Sequence, residues 1–253
     1  MNRIRPFIGG ELIKVMTGIR RSGKSVMLEL IKEELAEAGV APSQMISINF
    51  EDMRYSHLQT ATALDDEIIK RAEGIEGKAY LFFDEIQEVE GWEKCVNSLR
   101  VALDCDIYIT GSNAKLLSGE LATYIGGRYV EFVIYPFSFA EFLELYHTIA
   151  PSDSIQQCFQ KYLLAGGMPY LANLRYEEEP SRQYLTDLFN SVQLKDIVKR
   201  NKIRDIDLLE RIIAYMTANV GTVFSASSLA KFFKNEQRTV AAETILNYVR
   251  YCC

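Results

Sequence analysis

Residues 18–25, GIRRSGKS, place three cations within eight positions of a chain whose net charge is −6. Like charges crowded into a short loop repel one another unless an anion neutralises them. The stretch fits the pattern G-x-x-x-x-G-K-[ST], in which glycines let consecutive backbone N–H groups point inward at phosphate oxygens. The pattern predicts a phosphate-binding loop, a P-loop, whose residues all lie beside the ligand: Gly18, Ile19, Arg20, Arg21, Ser22, Gly23, Lys24 and Ser25.

Two polar side chains at the end of this loop have predicted roles of their own. Lys24 is expected to reach the β- and γ-phosphates of a nucleotide, and the Ser25 hydroxyl is expected to coordinate Mg²⁺. A helix that begins at about Ser25 adds the positive end of its dipole beneath the phosphates. For Arg20 and Arg21 three roles stay open: a contact with the γ-phosphate, a contact with a partner subunit, or exposure to solvent.

The flanking sequence has the order of strand, loop and helix that a P-loop requires. Residues 11–18, ELIKVMTG, predict a short strand before the loop. After the loop, apolar residues recur at helical spacing as far as a glycine at position 39, which supplies a stop. The apolar positions of this predicted helix are Val26, Leu28, Ile31, Leu35 and Ala38.

Two acidic residues follow the apolar strand AYLFF at 79–83. Asp84 and Glu85 stand at its carboxyl end, where open α/β sheets bind their ligands. Mg²⁺ bound to a nucleotide keeps most of its waters and needs a nearby carboxylate, which fits Asp84. Glu85 then fits the general base that orients and deprotonates an attacking water. The alternative is a strand that simply ends in a polar turn.

The stretch YITGSNA at 108–114 supplies a third candidate site after the next strand. A polar side chain just past that strand could reach between the γ-phosphate and the attacking water. Asn113 is the first choice because its amide group both donates and accepts hydrogen bonds, and Ser112 and Thr110 are the alternatives.

Composition and length exclude several classes of protein. The chain has 253 residues, 48% hydrophobic and 25% charged, which suffices for one core and a smaller second domain. No apolar run reaches the length of a membrane span, and the N-terminal MNRIRPF is no signal peptide. Five cysteines without C-x-x-C spacing and only two histidines argue against a zinc site and for free thiols in a reducing cytoplasm.

The order of the predicted elements indicates the fold class. Strands are predicted at 45–50, 79–83, 106–110 and 129–134, and they alternate with helical patterns as far as about residue 150. A strand that is apolar throughout, such as 79–83, is typical of a parallel sheet buried on both faces. The sequence therefore predicts a three-layer α/β domain.

Five motifs occur in one order along the chain: GIRRSGKS, LFFDEIQE, ITGSNA, IGGRYVEFVIYPFSFAEFL and AGGMPYL. This ordered set resembles a large group of prokaryotic AAA-type ATPases, related to archaeal-type and STAND ATPases, whose core is followed by a domain of unknown function. The resemblance spans nearly the whole chain. It implies a P-loop NTPase sandwich with a parallel sheet of order 5-1-4-3-2, and it implies ATP with Mg²⁺ as the ligand.

The resemblance also assigns two sites outside the loop. Arg128, in GGR, matches an arginine that stabilises charge on the γ-phosphate as an arginine finger, either in its own chain or in a neighbouring copy. Met168 and Pro169, in AGGMPYL, match an element that packs against adenine. The alternatives are an ordinary surface arginine and a corner between two helices that holds no ligand.

The same resemblance, together with the helical pattern, divides the chain into three parts. We expect an ATPase core at 1–150, a helical lid at 151–203 and an incomplete winged-helix-like domain at 204–253. A charged break is expected at 176–182 before a long helix, and three short helices are expected from Leu208 onward. The sequence ends inside or just after the third of these, which predicts a shortened product.

Two functions fit these features. The first is an ATP-hydrolysing switch whose cycle reorients the lid and the winged helix. The second is an ATP-loaded scaffold or DNA-tethered regulator that hydrolyses slowly or not at all. Residues 188–253 carry 10 Lys and Arg against 6 Asp and Glu, which permits contact with DNA phosphates. Winged helices also serve as docking modules, so a protein partner and a homo-oligomer stay open, and no membrane partner is expected.

Overall fold

The computed structural model describes residues 1–111, 125–192, 197–198, 201–235 and 238–252. Its internal contacts separate two compact units, Met1–Glu177 and Glu178–Cys253. The finer division of the chain at residues 150 and 203 stays a prediction. Among the described residues, no helix is both long and apolar enough to cross a membrane.

The described part of the first unit contains five strands and the helices around them. The strands are β1 (Ile13–Thr17), β2 (Met45–Asn49), β3 (Ala79–Asp84), β4 (Cys105–Thr110) and β5 (Tyr129–Val133). The α-helices are α1 (Lys24–Glu37), α2 (Ala61–Ala72), α3 (Trp92–Ala102), α4 (Phe139–His147) and α5 (Ile155–Ala165). Short 3-10 helices span Arg5–Phe7, Pro42–Gln44, Met53–Leu58, Ile86–Glu88 and Pro169–Ala172. The four strands predicted after the P-loop are therefore confirmed, each to within one residue at either end.

The five described strands form one parallel sheet in the order β2-β3-β4-β1-β5. This is the predicted order 5-1-4-3-2, counted from the other edge. β1 lies between β4 and β5, with Ile13 beside Tyr129 and Thr17 beside Val133. Because all strands run in the same direction, their carboxyl ends form one edge of the sheet, and the segments that follow them start along that edge.

Both faces of the sheet are covered. All five residues of β1 and all six residues of β4 are buried, as in a sheet packed on both sides. One face packs against α2 and α3, whose buried residues include Leu64, Ile68 and Leu99. The other face packs against α1 and the N-terminal segment, through residues such as Leu28 and Ile4. The predicted three-layer α/β arrangement is confirmed.

An aromatic cluster joins the segments that follow the sheet. α4 begins with a capping box, in which the backbone N–H of Ser138 donates to the Glu141 carboxylate at 2.8 Å. Phe142 and Tyr146, on α4, stack with ring centres 5.1 Å apart. The buried ring of Tyr176 packs edge-on against both of them. These contacts hold the last residues of the first unit against α4.

The second unit is helical in its described residues. Its helices are α6 (Glu178–Ser191), α7 (Ile206–Ala218), α8 (Ala226–Asn235) and α9 (Ala242–Cys252). The three short helices expected from Leu208 onward are confirmed, whereas the winged helix stays a prediction. The break expected at 176–182 is wrong from Glu178 onward, where α6 begins. Pro180 lies in the first turn of α6, where the N–H that proline lacks would have no helical partner.

Helices α7, α8 and α9 enclose a small apolar core with the buried residues Leu208, Leu229, Phe233 and Ile245. An ion-pair cluster lies at the start of α7, where Arg238 contacts both Asp205 and Asp207. Asp205 also caps α7, because its carboxylate accepts a hydrogen bond from the backbone N–H of Leu208 at 3.0 Å. The cluster ties the turn before α9 to the first turn of α7.

Candidate nucleotide site

The predicted P-loop joins β1 to α1 at the carboxyl edge of the sheet. α1 begins at Lys24, one residue before the expected start, and Gly23 is its N-cap. Gly18 has a φ of +143°, and a Cβ on it would lie 2.2 Å from the backbone oxygen of Ile134. The chain therefore passes so close to the residue after β5 that only glycine fits at position 18.

Lys24 is buried inside the loop that it closes. Its ammonium donates to the backbone oxygens of Gly18 and Ile19 at 3.2 and 3.1 Å, and it lies 4.0 Å from Glu85 Oε1. The Ser22 hydroxyl is also buried and has no hydrogen-bond partner among the described residues. A buried donor without a partner, next to a cation, is what an anionic ligand would use.

The other residues of the loop are more exposed. Ser25 lies exposed in the first turn of α1, and Ile19 is about half exposed. Arg20 has its guanidinium 4.0 Å from Glu51, in the segment after β2. Arg21 is exposed and has a φ of +62°, in the left-handed region. Contacts of these four loop residues with a nucleotide stay predictions.

The ends of three neighbouring strands brace Asp84. This buried residue ends β3, and its Oδ1 accepts a hydrogen bond from the hydroxyl of Thr110 at the end of β4. Its Oδ2 accepts a hydrogen bond from Asn49 Nδ2, at the end of β2, at 3.0 Å. The Thr110 oxygen also accepts from the backbone N–H of Glu85 at 3.0 Å. One threonine therefore holds both members of the acidic pair.

Glu85 combines an unusual backbone conformation with a mostly buried side chain. Its φ of +55° is left-handed, which costs a residue with a side chain about 1–2 kcal/mol. Its Oε2 accepts a hydrogen bond from the side-chain amide of Gln87. Burial raises the pKa of Glu85 above its ordinary value, and the Gln87 hydrogen bond and the Lys24 charge act against that shift. A mostly buried carboxyl group beside a cation has the surroundings that are typical of a proton-transfer group.

The structure describes one of the three candidates predicted after β4. Thr110 is fully buried, and its hydroxyl is engaged by Asp84 and Glu85. Its place is beside the acidic pair. Asn113 and Ser112 lie outside the described residues, so the roles assigned to them stay predictions.

Arg128 lies at the opposite edge of the sheet from the P-loop of its own chain. Its backbone oxygen accepts a hydrogen bond from the N–H of Ile13, at the start of β1, whereas the loop follows Thr17. The length of β1, about 13 Å, separates these two ends. The exposed guanidinium donates to Asn97 Oδ1, on α3, at 2.8 Å. The structure does not bring Arg128 to its own chain's P-loop, and a role toward a neighbouring copy stays a prediction.

Met168 and Pro169 lie beside the segment that leaves β5. Met168 is buried, and Pro169 opens a short 3-10 helix. The backbone oxygen of Gly167 accepts a hydrogen bond from the N–H of Phe137 at 2.7 Å. Phe137 is three residues beyond Ile134, which borders the P-loop. This chain of contacts brings the Met-Pro pair to the carboxyl edge of the sheet, while contact with adenine stays a prediction.

Three features of the site have no role predicted from the sequence. Asn49 and Gln87 contact the acidic pair, and a cavity of about 290 Å³ lies beside α1 and the end of β5. Residues 1–4, Met27 and residues 132–134 line this cavity. For Asn49 a signal was available, because a polar residue that ends a strand in a parallel sheet stands at the ligand edge. For the cavity, no pattern in the N-terminal segment indicates that residues 1–4 line it.

A P-loop after β1, an acidic pair after β3 and a parallel sheet of this order define a P-loop nucleoside triphosphatase fold. The AAA domain family matches residues 11–143, more than half of the chain. Residues 156–251 match a domain of unknown function, DUF8612. The chain therefore belongs to the AAA domain family, and the predicted succession of an AAA core and a domain of unknown function is confirmed.

Two relatives resemble nearly the whole chain. An uncharacterized protein of Haemophilus influenzae is 37% identical over 250 residues, which cover 98% of this chain and 62% of the relative. An uncharacterized protein of Methanocaldococcus jannaschii is 33% identical over 253 residues, covering 94% of this chain and 54% of the relative. The chain thus spans less than two thirds of the length of either relative. A mutant of Thermotoga maritima RuvB has a TM-score of 0.48 at 14% identity, covering 96% of this chain and 80% of RuvB.

Proposed function

We propose that the chain binds ATP together with Mg²⁺ at its P-loop and hydrolyses the ATP to ADP and phosphate. The observation that carries this proposal is the meeting of three side chains at one edge of the sheet. Lys24 lies 4.0 Å from Glu85, and Glu85 follows Asp84, whose carboxylate two neighbouring strands brace. A cation for the phosphates, a carboxylate for the metal ion and a carboxylate for the water are the parts that this reaction needs.

The residues present fit the phosphates and the metal ion. The Ser22 hydroxyl is a buried donor without a partner among the described residues, and the N-terminus of α1 opens onto the loop. On binding, the Lys24 ammonium would replace its hydrogen bonds to the two loop carbonyl oxygens with hydrogen bonds to phosphate oxygens. Ser25 and Asp84 would hold Mg²⁺, since each Asp84 oxygen keeps a further lone pair beyond its hydrogen bond. Bound Mg²⁺ supplies positive charge that stabilises the phosphate oxygens during transfer.

In this proposal Glu85 takes a proton from the attacking water. The water oxygen forms a bond to the γ-phosphorus, the bond from that phosphorus to the bridging oxygen breaks, and ADP leaves with the electron pair. The raised pKa of Glu85 increases its tendency to accept the proton. Asn113 is proposed, from its place in the sequence, to orient the water against the γ-phosphate.

We place the adenine against Met168 and Pro169. Met168 is buried at the carboxyl edge of the sheet, next to the segment that borders the P-loop. The cavity beside residues 1–4 and Met27 offers a second apolar surface near the same loop. Its volume of about 290 Å³ is close to the lower end of the roughly 300–1,000 Å³ found for ligand pockets.

The proposal includes a homo-oligomer and a nucleotide-driven switch of the C-terminal helices. The position of Arg128 supports the oligomer, because this arginine can act as a finger only in a neighbouring copy. The second unit supports a DNA-tethered regulator less well. Arg238 pairs with two carboxylates, and Arg211 pairs with Asp207 at 3.1 Å, so both guanidinium groups are already neutralised.

Equilibrium ATP binding and single-turnover hydrolysis at matched Mg²⁺ test the proposal. Glu85→Gln keeps the size of the side chain and loses the base, so hydrolysis should slow about 10²–10⁴-fold with ATP affinity unchanged or slightly tighter. Lys24→Ala should abolish ATP binding, because the loop loses its buried cation. Glu88→Gln, at an exposed carboxylate three residues from Glu85, is the matched control and should behave as wild type. Near-normal ATP affinity in Lys24→Ala, or equal hydrolysis in wild type and Glu85→Gln, would contradict it.

A further inference from the structure

Gln87 lies two residues beyond Glu85, in the 3-10 helix Ile86–Glu88. Its side-chain amide nitrogen donates a hydrogen bond to Glu85 Oε2. An ionised carboxylate accepts hydrogen bonds and donates none, so the NH₂ group of Gln87, and not its carbonyl oxygen, has to face Glu85. The contact therefore fixes the orientation of both side chains.

The other end of the Gln87 amide is unsatisfied. Its Oε1 is buried and has no hydrogen-bond partner among the described residues. A buried acceptor without a partner is costly, and native proteins rarely keep one unless a water, an ion or a ligand uses it. This oxygen belongs to the same amide group that holds Glu85, so it lies within a few bonds of the proposed base.

Two further contacts limit where the Glu85 carboxylate can go. The backbone is left-handed at Glu85, and its N–H donates to the hydroxyl of Thr110 at 3.0 Å. Oε1 faces the ammonium of Lys24 at 4.0 Å, whereas Oε2 is taken up by Gln87. The carboxylate is thus anchored through its backbone and through one oxygen, which leaves the other oxygen on the side of the P-loop.

We propose that Gln87 is a positioning residue for hydrolysis, whose amide nitrogen holds Glu85 and whose amide oxygen accepts a hydrogen bond from the attacking water. This inference rests on the proposed ATPase function. A water molecule has two O–H groups, one for Glu85 Oε1 and one for Gln87 Oε1, and a lone pair is then left for the γ-phosphorus. Glu85 takes the proton, and Gln87 exchanges none, so the balance of the reaction is unchanged.

Two substitutions at position 87 test whether the amide is needed for hydrolysis. Gln87→Met keeps the length of the side chain and removes both polar atoms, whereas Gln87→Glu keeps an acceptor but loses the donor and adds a charge beside Glu85. In both variants we expect ATP affinity within about threefold of wild type and single-turnover hydrolysis about 10- to 100-fold slower. The matched control is Gln59→Met, at an exposed glutamine, which should leave both quantities unchanged.

A double-mutant comparison tests whether Gln87 acts through Glu85. In a Glu85→Gln background, Gln87→Met should slow hydrolysis by a smaller factor than it does in wild type, because only the contact of Gln87 with the water is then left to lose. A readout without nucleotide is the thermal midpoint of the apo protein. There, Gln87→Met and Glu85→Met should shift the midpoint non-additively, since each removes the same hydrogen bond.

The outcomes distinguish the inference from the function on which it rests. Wild-type hydrolysis in Gln87→Met, or additive effects of the two substitutions on both hydrolysis and the apo midpoint, would overturn the role of Gln87 alone. Absence of hydrolysis in wild type, or no effect of Glu85→Gln, would overturn the proposed function, and the role of Gln87 would be lost with it.

Discussion

At the scale of a single residue, the hydroxyl of Thr110 holds both members of the acidic pair in place. It donates to Asp84 and accepts from the backbone N–H of Glu85, and it is fully buried. Removing the hydroxyl leaves a buried carboxylate oxygen and a backbone N–H without that partner, and each such loss costs about 1–3 kcal/mol. The geometry of the acidic pair should therefore depend on this threonine as much as on the acids themselves.

We expect Thr110→Val to lower the free energy of unfolding and to slow ATP hydrolysis more than tenfold, roughly the cost of one misplaced group. Valine keeps the shape of threonine and loses the hydroxyl. Urea unfolding and single-turnover hydrolysis measure the two effects. Thr110→Ser keeps the hydroxyl and should retain most of the activity, so equal behaviour of the valine and serine variants would refute the role assigned to Thr110.

At the scale of elements, a buried ion pair joins β1 and β4 to the N-terminal segment. Lys14 and Asp106 are fully buried and contact each other directly. The Asp106 carboxylate also accepts from the backbone N–H of Gly9 at 2.6 Å and from the Tyr108 hydroxyl at 2.7 Å. Lys14 donates to the backbone oxygen of Gly10 at 3.0 Å. Burial lowers the pKa of Lys14, and the Asp106 charge acts against that shift.

Asp106→Asn should be strongly destabilising, because it leaves the buried ammonium of Lys14 without its counter-charge. Breaking a buried ion pair from one side costs about 3–5 kcal/mol, which denaturant unfolding can measure. Asp104→Asn is the matched control, since Asp104 is 68% exposed and pairs with Lys78 at the surface. Such surface pairs contribute little to the free energy of unfolding. A similar loss of stability in the two variants would show that the buried pair contributes no more than a surface pair.

At the scale of the whole molecule, the site of one chain is incomplete if an arginine finger is needed. Arg128 stands at the amino edge of the sheet, beside the start of β1, and the P-loop stands at the carboxyl edge. A second copy of the chain is the source from which such an arginine could reach the γ-phosphate. Turnover should then depend on assembly, although nucleotide binding should not.

Mixing two inactive variants tests this dependence. Arg128→Ala should bind ATP and lose turnover by roughly the 10³–10⁵-fold that arginine fingers contribute. Adding Lys24→Ala protein should restore activity, because that variant supplies an intact Arg128 to the intact P-loop of the first. Protein that carries both substitutions is the control and should restore nothing. If assembly is seen by gel filtration and activity does not return, Arg128 does not act between copies.

The sequence by itself determined the parts of the site that lie close together along the chain. The P-loop is one eight-residue pattern, and Asp84 with Glu85 directly follows an apolar strand. Covalent connection keeps the adjacent acids within a few ångströms of each other in any fold, and it limits the ends of the eight-residue loop to about 25 Å. The positions of strands and of the short C-terminal helices followed from local periodicity, whereas the start of α6 did not, because proline is compatible with a first helical turn. The order of the strands came from the resemblance to a family.

Only the tertiary structure decided which distant residues support those parts. Asn49 and Thr110 reach Asp84 from strands 35 and 26 positions away in the chain, and the partners Lys14 and Asp106 are 92 positions apart. The physical reason is that strand order and register, and not chain distance, set which side chains meet across a parallel sheet.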